Sequence, residues 1–372
     1  MELAEVVDGD GVRLRPYREA DAPRVVAGAG DPQTQRFMPA MPRPYDEGIA
    51  LAWVRDGAVA ERATGRHSWA IADPDTDELL GGFGLRVSND GRAQAEVGYW
   101  ICPDARRRGV ATAATRAAVA HGFAAGLGRI ELQALWANIG SQRVAAATGF
   151  RREGERRGVL RGVDGRRHDT VVWARLATDD GRPVPRLLPD PPAAGLTDGV
   201  VALRPLGPAD ADALHALRSL PDVVVTSVPP VPPPLADTVE RCERAPAHWL
   251  AGTRADVLVL DAATGAVAGD LGLYYRAPQI GEAMIGYSLL PAWRGRGYAT
   301  RAAALLARWA FDIGIARLVA GAGPDNVGSQ RTLERAGFRR EGYAVGQLPG
   351  PGGRRTDDVL FALLPEWLRP AP

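Results

Sequence analysis

The chain has 372 residues and carries 45 arginines against 44 acidic residues, a formal charge of +1. That balance excludes long-range steering toward nucleic acid or an anionic membrane, and no apolar run reaches the length of a membrane-spanning helix. Two or three domains are expected at this length, each half being long enough to bury its own core.

Residues 1–10 read as a loose lead-in, and 12–15 alternate as a strand does. Glu19-Ala20-Asp21 opens a short helix, its acids suited to the positive end of the dipole. A second helix is predicted over 46–63. Segments 68–71 and 79–87 form a strand pair across the turn Asp73-Pro74-Asp75-Thr76-Asp77. The next strand is 95–102, followed by a glycine loop and a helix to about residue 125. Then come a strand at 130–135, a helix at 141–148 that stops at Gly149, and a hairpin of 150–160 with 168–176. The segment 179–198 is rich in proline and is predicted to be an extended, semi-stiff connector between domains at 8–178 and 199–366. Beyond it the same order of elements returns.

It returns because the sequence is duplicated. Gly109 and Gly297 are 188 positions apart, as are Tyr99 and Tyr287, Asn138 and Asn326, Ser141 and Ser329, and Gly149 and Gly337. Leu14-Arg15-Pro16 and Leu203-Arg204-Pro205 are offset by 189, so one single-residue insertion separates the copies. A period this long is a whole domain. At the centre of each copy lies a glycine loop, Arg106-Arg107-Arg108-Gly109-Val110-Ala111-Thr112 and Arg294-Gly295-Arg296-Gly297-Tyr298-Ala299-Thr300. Each loop follows a Gly-Tyr strand (Gly98-Tyr99-Trp100-Ile101-Cys102 and Gly286-Tyr287-Ser288-Leu289-Leu290) and precedes an alanine-rich helix. Strand, tight loop and helix aim free backbone N–H groups at an anion. Glycine permits the positive φ that a close approach needs, and arginines at the loop mouth add charge-assisted contacts to phosphate.

The remaining inventory narrows the chemistry. No lysine occurs, which excludes a lysine-bearing phosphate loop and Schiff-base catalysis. Five scattered histidines lack metal-ligand spacing, so no metal is expected. Cys102 and Cys242 fit a reducing compartment, and the opening residues have no secretory pattern; a cytoplasmic location is expected.

On these residues the chain resembles the GCN5-related N-acetyltransferases, once in each half, and within them the branch that acetylates N-terminal alanine of ribosomal proteins. The first half carries Leu14-Arg15-Pro16, Glu96-Val97-Gly98-Tyr99-Trp100, Arg106-x-x-Gly109-x-Ala111, Asn138-x-x-Ser141, Gly149-Phe150 and Glu153-Gly154. The second carries Leu203-Arg204-Pro205, Gly286-Tyr287, Arg294-x-x-Gly297-x-Ala299, Asn326-x-x-Ser329, Gly337-Phe338 and Glu341-Gly342. The resemblance implies an α/β (α+β) fold in two tandem copies, each a mixed, mostly antiparallel sheet flanked by helices. It implies direct acetyl transfer from acetyl-CoA to a primary amine, on a protein N-terminus or a small molecule. The pyrophosphate would lie on the loop amides. The pantetheine would pair with the Gly-Tyr strand, with an amide near Ile101 or Leu289 at the thioester oxygen and Asn138 and Asn326 as amide partners.

Glu96 matches the family position for taking the proton from the amine. Its counterpart 188 residues on is Met284, so the second site is expected to use Glu282, another base, or none. Ser141 and Ser329 match the serine proposed to assist the departing thiolate, and each equally suits a helix cap. The tyrosine that many relatives place seven residues after the asparagine is replaced by Ala145 and Leu333. Two catalytic halves, one catalytic half beside an acyl-CoA-binding one, or a non-catalytic sensor remain open, as does a monomer or a homodimer.

Overall fold

The computed structural model describes residues 3–368. It divides into two compact units, with the chain boundary between Pro185 and Arg186. In the first, β1 (Val7–Gly9) and β2 (Val12–Arg15) lead into helices α1 (Ala22–Ala29), α2 (Pro32–Phe37), α3 (Glu47–Ala52) and α4 (Ala58–Ala63), with a π-helical turn at Trp53–Gly57 between the last two. Then follow β3 (Arg66–Ala72), β4 (Leu79–Val87), β5 (Gln94–Ile101), α5 (Val110–Ala124), β6 (Arg129–Leu135), α6 (Ile139–Ala147), β7 (Arg151–Arg161) and β8 (Arg167–Leu176). The second unit runs β9 (Leu196–Thr197), β10 (Val201–Pro205), α7 (Ala211–Arg218), α8 (Pro221–Val225), α9 (Leu235–Leu250), β11 (Arg254–Asp261), β12 (Val267–Ala277) and β13 (Glu282–Leu289). It closes with α10 (Tyr298–Asp312), β14 (Arg317–Ala322), α11 (Val327–Arg335), β15 (Arg339–Pro349) and β16 (Arg355–Leu363).

Each unit is built on one eight-stranded sheet, ordered β1-β2-β3-β4-β5-β6-β8-β7 and β9-β10-β11-β12-β13-β14-β16-β15. All neighbours are antiparallel except β5 with β6 and β13 with β14. Those two parallel pairs are short. β5 meets β6 only from Gln94 to Val97, and β13 meets β14 only from Glu282 to Met284. From Gly98 and Ile285 onward the two strands diverge and leave a wedge-shaped gap.

Alternation along the strands decides what each face does. In the second unit Ala283, Ile285, Leu271, Leu273, Leu318 and Ala320 point into one core with Ala303, Leu306 and Ala310 of α10. The intervening residues, Met284, Gly286, Ser288, Asp270 and Gly272, therefore share the opposite face. The duplicated Leu-Arg-Pro tripeptide proves structural. Arg15, only 3% exposed, forks onto the Asp21 carboxylate at 2.8 and 3.0 Å, and Arg204 does the same to Asp210 at 3.1 and 2.7 Å. The pair ties the end of the second strand in each sheet to the start of the first helix.

Two local expectations are corrected, and a third gains contacts. The lead-in 1–10 contains β1, which pairs with β2. The short helices α2 and α8 went unrecognised, because each begins at a proline in a segment too short for periodicity to show. The proline-rich segment 179–198 packs onto the units. Val184 N–H donates to Ala146 at 2.9 Å, while Pro189 accepts the Trp249 indole N–H at 2.9 Å, Leu188 is fully buried and β9 pairs with β10.

Candidate active site

The glycine loops owe their shape to four residues in the left-handed region. Gly109 and Gly297 stand at φ 84° and 82° immediately before α5 and α10. Two positions earlier, Arg107 and Gly295 stand at 59° and 71°. This winding turns the first-turn N–H groups of Val110, Ala111 and Thr112, and of Tyr298, Ala299 and Thr300, outward with no intrahelical acceptor. Each helix is 15 residues long and adds the positive end of its dipole. A Cβ on either capping glycine would meet nothing within 4 Å, so the approach to these amides is open.

A cleft of about 630 Å³ opens there in the first unit and one of about 490 Å³ in the second. The first is lined by Trp100, Ile101, Arg106, Arg107, Gly109, Val110, Ala111, Thr112, Asn138 and Ser141. The second is lined by Ser288, Leu289, Arg294, Gly295, Gly297, Tyr298, Ala299, Thr300, Asn326 and Ser329. Loop, strand and asparagine helix thus converge on one space in each unit. Glu96, Cys102, Arg108, Leu290 and Arg296 stand outside the lining. Cys102 is 1% exposed, and burial pushes its thiol up to about 11; Cys242 is buried too and likewise raised to about 11. Neither thiol is poised as a nucleophile.

The leading arginine of each loop is committed elsewhere than sequence reasoning placed it. Arg106 ion-pairs with Asp31 and donates to Gln33 at 2.9 Å, Thr34 at 3.0 Å and Ile101 O at 3.2 Å. Arg294 holds Leu289 O at 2.9 and 2.8 Å and pairs with Asp222. Both clamp the loop to the strand end and to α2 or α8. Burial alone would raise the Asp31 carboxyl, yet Arg106 and the Thr34 N–H hold it below the usual range; Arg294 does the same for Asp222. The first-turn backbone amides are therefore the groups left uncommitted at each cleft, with Arg107 beside the first and Arg331 and Arg335 of α11 beside the second.

On the side away from the gap, Cys102 N–H donates to Leu80 O of β4 and Leu290 N–H to Ala268 O of β12, both at 2.9 Å. Antiparallel alternation then turns the N–H groups of Tyr99 and Ile101, and of Tyr287 and Leu289, away from the neighbouring strand and into the gap. Asn138 and Asn326 cap α6 and α11, accepting the Ser141 and Ser329 N–H at 3.2 and 3.1 Å. The cap is therefore the asparagine, which frees both serine hydroxyls from that duty. In the second unit Ser329 Oγ lies 2.8 Å from the Tyr287 hydroxyl, whose phenol burial pushes up to about 12. In the first, the Tyr99 hydroxyl is buried beside Ser141 without a hydrogen bond, and burial raises it further. Tyrosine thus reaches the site from β5 and β13, where the Gly-Tyr dipeptide marked it as a landmark and gave no hint of its partner.

The open faces of the two units differ. Glu96 Oε2 accepts from Gln133 at 3.3 Å, and Gln133 in turn accepts from Thr170 at 3.0 Å, which holds the carboxylate at the start of the divergence. Next to it Gly98 is exposed and bounded by open space. Trp100 lies against Gly28 and Gly82, where an added Cβ would meet its ring at 2.1 and 2.5 Å. In the second unit Met284 replaces Glu96 and receives Arg276 at 3.4 Å. Glu282, at the strand start, is held by Arg317 at 2.9 Å outside the cleft lining. In place of the aromatic packing stands an ionic cluster. Asp270, 2% exposed, pairs with Arg218 and Arg241, and Asp256, 3% exposed, pairs with Arg241 at 2.9 Å and Arg254 at 2.6 Å.

Two eight-stranded mixed sheets, each split beside a helix that begins in a glycine cradle, define a tandem acyltransferase. Residues 12–151 and 201–339 both match the family described as Acetyltransferase (GNAT) domain, and the chain belongs to that family. It is similar to the Uncharacterized N-acetyltransferase YoaA of Bacillus subtilis, 28% identical over 170 residues that span 45% of this chain and 95% of the relative. YnaD of the same organism, also named as an uncharacterized N-acetyltransferase, is 31% identical over 83 residues, 22% of this chain and 48% of the relative. Among solved structures, Mycobacterium smegmatis RimJ in complex with CoA-disulfide is 25% identical, covering 46% of this chain and 86% of that one with a TM-score of 0.42.

Proposed function

We propose that each unit binds acetyl-CoA and that the first transfers its acetyl group to a primary amine without a covalent enzyme intermediate. The observation that carries this reading is the convergence of the helix-capped amide cradle, the unpaired strand amides and a carboxylate at the point of divergence. The diphosphate rests on the N–H groups of Val110, Ala111 and Thr112. The pantetheine runs along the free edge of β5, and the Nδ2 of Asn138, whose Oδ1 is used in capping, donates to it. An amide of Tyr99 or Ile101 takes up the negative charge that develops on the thioester oxygen.

An alkylammonium has to lose a proton before it attacks. Glu96, steadied by Gln133, accepts that proton directly or through water. The nitrogen then bonds to the carbonyl carbon, the C–S bond breaks, and Ser141, with Tyr99 behind it, protonates the thiolate. The surplus N–H proton leaves to solvent, with Glu96 and Ser141 reset by water. The acceptor is a protein N-terminus or a small-molecule amine. A chain binding two acetyl-CoA molecules by calorimetry, with the first unit's share of alkylamine turnover falling about a hundredfold in Glu96→Gln, is the expected result. Unchanged turnover across pH in that variant would overturn the base assignment. Met284 favours a second reading, in which the second unit holds acyl-CoA without turning it over; two binding sites with one active unit is its signature.

A further inference from the structure

One buried carboxylate in the second unit has no part in the scheme above. Asp358 on β16 is the counterpart of Thr170, 188 residues earlier. It is 5% exposed, and its Oδ1 makes no hydrogen bond. The side chain crosses β14 above Gly321, where an added Cβ would meet Oδ2 at 2.2 Å. In the first unit that position is Gln133, the residue that holds Glu96. The exchange is reciprocal. Glu96, Gln133 and Thr170 in the first unit become Met284, Gly321 and Asp358 in the second.

The sheet face also agrees. Val359, Phe361 and Leu363 of β16 and Leu318, Ala320 and Ala322 of β14 point into the core beneath α10. Alternation puts Asp358 and Gly321 on the other face, with Met284 and Gly286. A Cβ on Gly286 would meet nothing within 4 Å, so open space lies over that face. β13 and β14 have diverged by this level. Asp358 therefore shares a sheet face with Met284, reaching over β14 from the strand beyond it, and like Glu282 it is not part of the cleft lining.

We propose that Asp358 is the proton acceptor of the second unit, doing from β16 what Glu96 does from β5; the proposal rests on the base-assisted transfer set out above. The surrounding charges leave it this role. Asp357 faces away, accepting from the Tyr343 hydroxyl at 2.6 Å and Gly346 N–H at 2.7 Å. β15 places Ala344 opposite Asp358, with Arg340 and Glu341 further along. Arg317 lies four residues back on β14, shared between Glu282 and Glu341, and Arg276 lies against Met284. Burial lifts the carboxyl above its usual range, and the N–H groups of Ala322 and Val359 oppose this only in part, which moves it toward the pH at which a base works.

An ammonium acceptor gives one proton to Asp358, and its freed lone pair forms the N–C bond at the thioester carbonyl. The C–S bond breaks, the thiolate takes a proton from Ser329, and the remaining surplus N–H proton leaves to solvent. The products are the amide, the free thiol and one proton, with Asp358 and Ser329 reset by water.

The test uses the full chain with Glu96→Gln, so that alkylamine turnover reports on the second unit. Adding Asp358→Asn is expected to lower kcat about a hundredfold and to remove the acidic limb of its pH profile, with two acetyl-CoA sites retained. Adding Met284→Glu to that double variant is expected to restore at least a tenth of the lost rate, which a purely structural role for Asp358 would not permit. Unchanged kcat and profile on adding Asp358→Asn, no restoration by Met284→Glu, or no residual turnover in Glu96→Gln while both acetyl-CoA sites remain filled would each overturn the proposal. A chain that binds no acetyl-CoA at all would sink the parent reading instead.

Discussion

The Tyr287 hydroxyl stands 2.8 Å from Ser329 Oγ, joining the Gly-Tyr strand to the asparagine-capped helix across the cleft. Burial pushes that phenol up to about 12, so it stays protonated through the neutral range and keeps its hydrogen bond to the serine. Tyr287→Phe is expected to lower second-unit kcat about tenfold and to leave acetyl-CoA affinity unchanged. The same shift sets a stability trend. A folded-state pKa above the unfolded value of about 10 makes the group neutral in both states below pH 10. Its stabilising share is lost as pH rises toward 12. The denaturation midpoint of the wild-type chain should therefore fall more steeply between pH 10 and 12 than that of Tyr287→Phe. Equal slopes would count against the buried phenol.

Gly109→Ala and Gly297→Ala separate the two anion cradles. The added methyl meets nothing within 4 Å, but the backbone stands at φ 84° and 82°, a conformation costing a residue with Cβ about 1–2 kcal/mol. Each substitution is expected to weaken acetyl-CoA binding at its own unit by about tenfold or more and to spare the other, as two-site calorimetry would show. Weakening of both sites by one substitution would refute independent cradles.

The cradles themselves were legible in the sequence, because duplication repeats whatever backbone chemistry requires. Gly109 and Gly297 share a φ within 2°, and Asn138 and Asn326 cap equivalent helices. Side-chain commitments were not legible. Nothing in the spacing told that Arg106 turns back onto Asp31, 75 residues earlier, or that Asp358 fills the space left by a glycine on another strand. The helix at 141–148 was placed two residues late, since Ser141 is as good a cap by composition as Asn138 and only the hydrogen bond at 3.2 Å distinguishes them.

Arg107 offers a stability test within the loop. It stands at φ 59°, where its counterpart Gly295 stands at 71°, so the first unit carries a strained side-chain residue where the second uses glycine. Relief of the left-handed strain, offset by the greater freedom of an unfolded glycine, predicts that Arg107→Gly stabilises the first unit by about 0.5 kcal/mol. Arg107 also lines the cleft, so acetyl-CoA affinity at that unit should fall. Stability measured by urea denaturation and affinity by calorimetry should therefore move in opposite directions.

The ionic cluster of the second unit predicts the largest loss. Asp270 is 2% exposed and sits between Arg218 and Arg241, and Asp256, 3% exposed, joins Arg241 to Arg254. Removing one carboxylate leaves the partly buried Arg218 guanidinium uncompensated, which costs up to about 3–5 kcal/mol. Asp270→Asn is thus expected to destabilise the second unit by that order. Combining it with Arg218→Met should recover part of the loss, because the cation left without its partner is then gone as well. Urea denaturation of the single and double variants checks both steps. A double variant less stable than Asp270→Asn alone would mean that the arginine stabilises through packing of its stem and not through its charge.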